Sequence, residues 1–154
     1  MSNYYTELNW PTLSDKDHHD LLNYAHEIAD TDLARHLLPG YSHYPVPKHI
    51  VAWCKKNLPI DDRYIVVLQN FFSTNVEHFD VSKHIDLGRK ENIIYLLTEA
   101  GPTTRWFNNN DEVVESVVIP SHTWTKLQVD VPHDIINGKK ERIAISIFIP
   151  IRKI

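Results

Sequence analysis

The chain has 154 residues with 16 Lys and Arg against 20 Asp and Glu, a net charge of −4, so nothing in its balance favours a sequence-independent grip on nucleic acid. Its length fits one domain, no apolar run reaches membrane-spanning length, and no basic segment followed by an apolar core marks a signal peptide. Cys54 is the only cysteine, which excludes an intramolecular disulfide framework and predicts a soluble protein of a reducing, cytoplasmic compartment.

Residues 1–13 form an irregular or strand-like lead-in. Ser14 is an N-cap candidate, with Asp15 and Asp17 in the first turn where the helix dipole favours them. Leu21, Leu22, Ala25, Ile28 and Ala29 recur at helical spacing and predict an amphipathic helix over 15–30. His18, His19 and His26 lie on or near it and read as solvent-facing or satisfied helix histidines. Leu37 to Gly40 predicts a turn, and Lys48 to Leu58 a second short helix with Cys54 on its buried face. Arg63 to Phe72 is the first strand, rich in β-branched and aromatic residues, and Ser73-Thr74-Asn75 breaks it. Strands follow over 91–97, 103–107, 113–119 and 124–131, with turns at Gly101-Pro102 and Asn108 to Asp111. In the last strand Arg142, Ala144, Ser146 and Phe148 share one face and Ile143, Ile145, Ile147 and Ile149 the other. That isoleucine ridge needs a cover, which the two helices provide. The fold class is α+β and mainly β: two N-terminal helices (residues 1–60) packed on a β-sandwich or barrel of about eight strands (61–154) in a single domain.

Two stretches carry chemistry. In Lys83-His84-Ile85-Asp86-Leu87-Gly88-Arg89, His84 and Asp86 are two apart and share a face of an extended strand. With His133 they complete two imidazoles and one carboxylate, the facial triad that leaves metal positions open for a co-substrate and O₂. Downstream, Asn137-Gly138 between two β-prone runs signals a tight hairpin. Folding there pairs residue 133 with 142, so a ligand and a guanidinium suited to a carboxylate look into the same space. His78 with Asp80 is a rival pair and His122 a rival third ligand, though His122 lacks a facing arginine. Taken singly, His84 with Asp86 is also a plain surface polar pair, and Arg142 a cross-strand partner of Asp134 or Glu141.

This pattern resembles the 2-oxoglutarate/Fe(II)-dependent oxygenase family. The resemblance rests on His84-Ile85-Asp86 with Arg89, the strand Asn92 to Leu97, Thr104-Arg105-Trp106-Phe107, Trp124, and Pro132-His133 followed by Arg142, and it spans residues 64–150. It implies a double-stranded β-helix of jelly-roll or cupin type, with Fe(II) on His84, Asp86 and His133. Arg142 would take the far carboxylate of 2-oxoglutarate. The family often has a serine two positions after that arginine, whereas here Ala144 stands there and Ser146 two further on. A second co-substrate hydrogen bond then falls to Tyr95, Ser146 or another hydroxyl. Arg89, Arg105 and Trp106 are candidates for substrate contact, beside ordinary readings as strand-end arginines and core tryptophan. Retention of Asp86 favours hydroxylation over halogenation. The implied function is a 2-oxoglutarate-dependent dioxygenase acting on a small molecule or a protein residue. A non-catalytic cupin-like module that binds metal or a small ligand is the alternative, and a pure interaction protein that has kept the fold a third. The substrate and the oligomeric state are not legible in the sequence.

Overall fold

The computed structural model describes residues 2–38, 40–72, 79–138 and 141–151. In chain order the elements are β1 (Tyr5–Leu8), α1 (Asp15–Ile28), β2 (Arg35–Leu38), β3 (Tyr41–Pro45), α2 (Lys48–Asn57), β4 (Ile65–Phe72), β5 (Phe79–His84), β6 (Glu91–Leu96), β7 (Thr103–Phe107), β8 (Val113–Val118), β9 (Trp124–Gln128), β10 (His133–Gly138) and β11 (Glu141–Phe148). A seven-stranded sheet in the order β1-β9-β6-β11-β4-β3-β2 faces a four-stranded sheet in the order β5-β10-β7-β8. From β4 to β11 the chain passes between the two sheets in the winding of a double-stranded β-helix, as expected. All of the strand pairings are antiparallel.

Both helices fall where the sequence puts them, and both cover the outer face of the larger sheet. The Ser14 side chain accepts a hydrogen bond from the Asp17 N–H at 3.1 Å, satisfying one of the otherwise orphaned donors of the first turn. His18, Leu21, Ala25 and Ile28 form the buried stripe of α1. It meets Ile143, Ile145 and Ile147 of β11, together with Ile50 and Cys54 of α2. Each isoleucine so buried contributes about 1.5–3 kcal/mol. Burial also pushes the Cys54 thiol up to about 12, which removes it as a nucleophile at neutral pH.

β6 is apolar on both faces because it has two cores to fill. Ile93 and Tyr95 join the helix-side core. Ile94 and Leu96 join Trp106, Leu127, Val129 and Ala144 between the sheets. β11 lies between β4 and β6 in the larger sheet, so its even-numbered residues, Arg142 included, turn toward the space between the sheets.

Two expectations are corrected. Residues 1–60 are not only helical: β1 falls in the strand-like lead-in and extends one edge of the larger sheet, while β2 and β3, which were not expected, extend the other. β2 and β3 are interrupted by proline and glycine signals that mask a short strand pair. Gly40 turns the chain between them at φ 77, and a Cβ there would lie 2.7 Å from the Phe72 carbonyl oxygen. The hairpin at Asn137-Gly138 is also not a hairpin between neighbours. β10 pairs with β5 and β7, whereas β11 pairs with β4 and β6, so the chain changes sheets there. Asn137 does take the left-handed conformation, at φ 58. A positive φ serves a corner between sheets as well as a two-residue hairpin, and the residues alone do not separate the two. Lys139 and Lys140, which the hairpin pairing required, lie outside the described residues, as do His78 and the 73–75 break.

Candidate metal centre and its cavity

His84 closes β5, Asp86 follows it by two residues, and His133 opens β10 directly opposite His84 in the β5–β10 pair. The cross-strand partners of His133 are therefore His84 and Trp106, not Arg142. Among the described residues these three form a cluster able to hold a metal ion, their ligand atoms all within 4.8 Å of one another. Asp86 Oδ1 lies 3.2 Å from His84 Nε2 and 3.5 Å from His133 Nε2.

The rings are oriented from behind. His84 Nδ1 lies 2.6 Å from the Ser82 carbonyl and His133 Nδ1 2.7 Å from the Val131 carbonyl. A carbonyl only accepts, so each Nδ1 carries the proton and each Nε2 presents its lone pair to the common space. The Asp86 N–H donates to the Val129 carbonyl at 2.9 Å, which anchors the loop to the end of β9.

The electrostatics suit a cation. Burial works to raise the Asp86 carboxyl, but His84, Arg89 and His133 together outweigh it and hold it below the usual carboxylate range. The Asp86 carboxylate raises His84, whereas burial lowers His133. A metal ion in place of protons would relieve this apposition of an anion and two imidazoles.

The triad opens into a cavity of about 770 Å³ between the sheets, with Ile94, Leu127, Val129, Ile135 and Phe148 among its apolar lining and Arg142 and Thr104 among its polar lining. Arg142 is 5 % exposed, and its Nη1 has no hydrogen-bond partner among the described residues. Burial pushes its pKa down to about 10. Thr104 Oγ1 is likewise buried without a partner. Other buried polar atoms also lack partners among the described residues, Tyr95 Oη and Thr125 Oγ1 among them, but Arg142 and Thr104 line this cavity and are donors a carboxylate would complete.

The other candidates are placed elsewhere. Tyr95 faces the opposite way, into the helix-side core against Trp124, ring centroids 4.9 Å apart, and is not among the cavity lining. Ser146 donates to Asn92 Oδ1 at 2.5 Å, which commits its single proton to the protein. Arg105 forms a two-bond ion pair with Asp134, at 3.0 and 2.7 Å. The pair joins directly opposed residues of β7 and β10 and stands outside the cavity lining, so Asp134 belongs to Arg105 and not to Arg142. Trp106 is fully buried, donates to the Gln128 carbonyl at 2.8 Å and stacks on Tyr4 and Tyr5. Neither lines the cavity. Arg89 does line the cavity but is spent on protein partners, chiefly Asp86 Oδ2 at 2.9 Å.

Of the rivals, Asp80 lines the cavity wall and accepts from the Asn137 N–H at 3.2 Å. His122 sits outside the cavity lining, stacked on His18 at 3.7 Å. Sequence reasoning missed Thr104 as a site residue, because a threonine in a β-run signals only strand. It also missed Tyr41, because β3 itself was unread, and Gln69, which sits on the expected strand β4 but carries no chemical signal there; both line the cavity.

No family model matches the sequence, and no curated protein matches it. Solved structures do match. A prolyl-4-hydroxylase from Pseudomonas putida superposes with TM-score 0.63 at 12% identity over 98% of this chain and 95% of its own. A prolyl hydroxylase from Trichoplax adhaerens, in complex with a hypoxia inducible factor peptide fragment, gives TM-score 0.62 at 13% identity over 96% and 83%. The viral collagen prolyl hydroxylase of Paramecium Bursaria Chlorella virus-1, a 2OG complex, gives TM-score 0.57 at 15% identity over 98% of both chains. The chain therefore has the double-stranded β-helix fold that these oxygenases share. No helix among the described residues is long and apolar enough to cross a membrane.

Proposed function

We propose that the protein is an Fe(II)- and 2-oxoglutarate-dependent dioxygenase that hydroxylates a small molecule or a residue of another protein. The observation that carries this reading is the convergence, in one cavity, of a His-Asp-His cluster with a buried guanidinium that has no counter-charge among the described residues. A fold kept for structure alone would have no use for that charge, since an unpaired buried cation costs stability.

His84, Asp86 and His133 would hold the iron, their Nδ1–H bonds to backbone carbonyls keeping both imidazoles in the ligating tautomer. Arg142 would bind the distal carboxylate of 2-oxoglutarate through charge-assisted bonds. Thr104 would supply the hydroxyl that Tyr95 and Ser146 do not. When bound, the iron with 2-oxoglutarate and O₂ supplies the oxidising power to hydroxylate a C–H group, with succinate and CO₂ as co-products. The apolar walls exclude water from that chemistry, and an aspartate ligand in place of a small residue favours hydroxylation over halogenation. The peptide bound by the Trichoplax enzyme supports a protein residue as one form of substrate. The lone buried Cys54 fits a reducing, cytoplasmic setting.

The test is an anaerobic titration of Fe(II) and 2-oxoglutarate into apo protein, read by the weak visible charge-transfer band of the chelate. The expected band is abolished by His84→Ala and weakened by Arg142→Ala. Metal binding without the band would favour a non-catalytic cupin-like module, and no metal binding would sink the oxygenase reading.

A further inference from the structure

Asp86 has two carboxylate oxygens, and the structure gives them different partners. Oδ1 faces both ligating imidazoles, at 3.2 and 3.5 Å. Oδ2 accepts a hydrogen bond from Arg89 Nε at 2.9 Å. We propose that Arg89 is a positioning residue that occupies Asp86 Oδ2, so that this ligand binds metal through Oδ1 alone and the third open position of the centre is preserved. The inference rests on the metal reading above and deepens it.

Arg89 is held too firmly to be a free substrate arm. Its side chain is 12 % exposed. Its Nη1 reaches Ser146 Oγ at 3.4 Å, and Ser146 in turn donates to Asn92. The guanidinium lies over the Phe148 ring, 4.3 Å from its centroid, and its charge acts on the Tyr41 hydroxyl. Tyr41 is fixed by Gln69, which donates to it at 3.0 Å, and by His43 at 2.5 Å. The backbone beneath is tied as well: the Ile151 N–H donates to the Gly88 carbonyl at 2.7 Å. The fork thus has partners on β11 and the loop after β5, and its Nε is delivered to one carboxylate oxygen.

The chemistry follows from coordination number. Two imidazoles and a one-oxygen carboxylate fill about three of six positions and leave about three, enough for a two-point chelate and O₂. A carboxylate free to turn both oxygens to the metal would take a fourth, and one co-substrate would lose its place. A planar guanidinium suits the task because it can donate to Oδ2 and keep further bonds in its own plane. An Arg three positions after the Asp is therefore more than the end of a strand.

The experiment loads wild type, Arg89→Gln and Arg89→Lys with Mn(II) or Co(II) without 2-oxoglutarate. It counts inner-sphere water by water-proton relaxation of the Mn(II) forms and records the Co(II) ligand-field spectrum. The expected result is about three exchangeable waters on the wild-type centre and about two on Arg89→Gln, with a changed Co(II) band. Arg89→Lys, which keeps the charge but not the fork, is expected to change in the same direction by less, and it decides the matter if the glutamine variant does not fold. Folded variants that bind metal with wild-type water count and spectrum would overturn this inference while leaving the metal site standing. A wild type that binds no metal, or His84→Ala binding it equally well, would overturn the functional reading itself.

Discussion

Replacing Arg142 with methionine is expected to make the metal-free protein more stable while removing its response to 2-oxoglutarate. The guanidinium is buried in the cavity wall with Nη1 unpaired among the described residues, and burial lowers its pKa from 12.5 to about 10. At about 1.4 kcal/mol per pH unit, that displacement corresponds to a cost of ~3 kcal/mol for keeping the charge inside. Arginine does not escape the cost by deprotonating at neutral pH. Methionine retains most of the apolar stem and removes the charge. Allowing for imperfect packing, the gain is about 1–3 kcal/mol, or roughly 2–12 °C in Tm for a chain of this size. The assay is thermal unfolding of wild type and variant, Mn(II)-loaded and metal-free, with and without 2-oxoglutarate. Wild type should gain about 2.7 kcal/mol at a hundredfold excess of ligand over Kd, and the variant should gain little. A metal-free variant less stable than wild type would refute the account of Arg142 as an unpaid buried charge. A variant still stabilised by 2-oxoglutarate would refute its role in holding the far carboxylate.

Three further outcomes follow from the same geometry. Thr104→Val should weaken 2-oxoglutarate binding about 5- to 10-fold, the worth of one hydrogen bond, whereas Tyr95→Phe should leave it within about twofold; calorimetric titration of the Mn(II) form separates the two, and the reverse ranking would return the co-substrate hydroxyl to Tyr95. Gly40→Ala should destabilise by about 1–3 kcal/mol, since it adds a Cβ at positive φ against the Phe72 carbonyl; an unchanged denaturation midpoint would show that the β2–β3 turn has room. His43 is pushed down from 6.5 to about 4, first by burial and then by Arg89 and Arg35. A histidine more basic in the unfolded chain than in the native one contributes stability that is complete above pH 6.5 and is lost as pH falls toward 4. Denaturant unfolding at pH 7 and pH 5 should therefore show about 1–2 kcal/mol more loss in wild type than in His43→Gln, and equal losses would count against a buried neutral ring.

Some of this was legible because it is local. The α1 stripe and its Ser14 cap, the two-sided apolarity of β6 and the isoleucine ridge of β11 are periodicities of 3.6 or 2, and burial follows from them directly. His84 and Asp86 are legible for the same reason: two residues apart at the end of a strand, they share a face by geometry alone. The Asn137 turn shows the limit. Its φ of 58 was readable, but whether the chain then pairs with itself or crosses to the other sheet depends on partners far away in sequence. His133 and Arg142 do share a cavity, by facing each other from two sheets and not by pairing on one.

What the sequence by itself determined is the presence of two imidazoles, a carboxylate and a guanidinium at spacings that let His84 and Asp86 share a face. Only the tertiary structure decided which hydroxyl lines the cavity with Arg142 and what each arginine contacts. Tyr95 and Thr104 are both β-run residues with an O–H; the sheet turns one toward the helices and the other into the cavity. Arg89, Arg105 and Arg142 are alike as letters. Packing gives the first to Asp86 Oδ2, the second to Asp134, and leaves Nη1 of the third without a partner among the described residues. Side-chain direction in a strand alternates with a period of two, but which face becomes a site depends on what the other sheet brings opposite it.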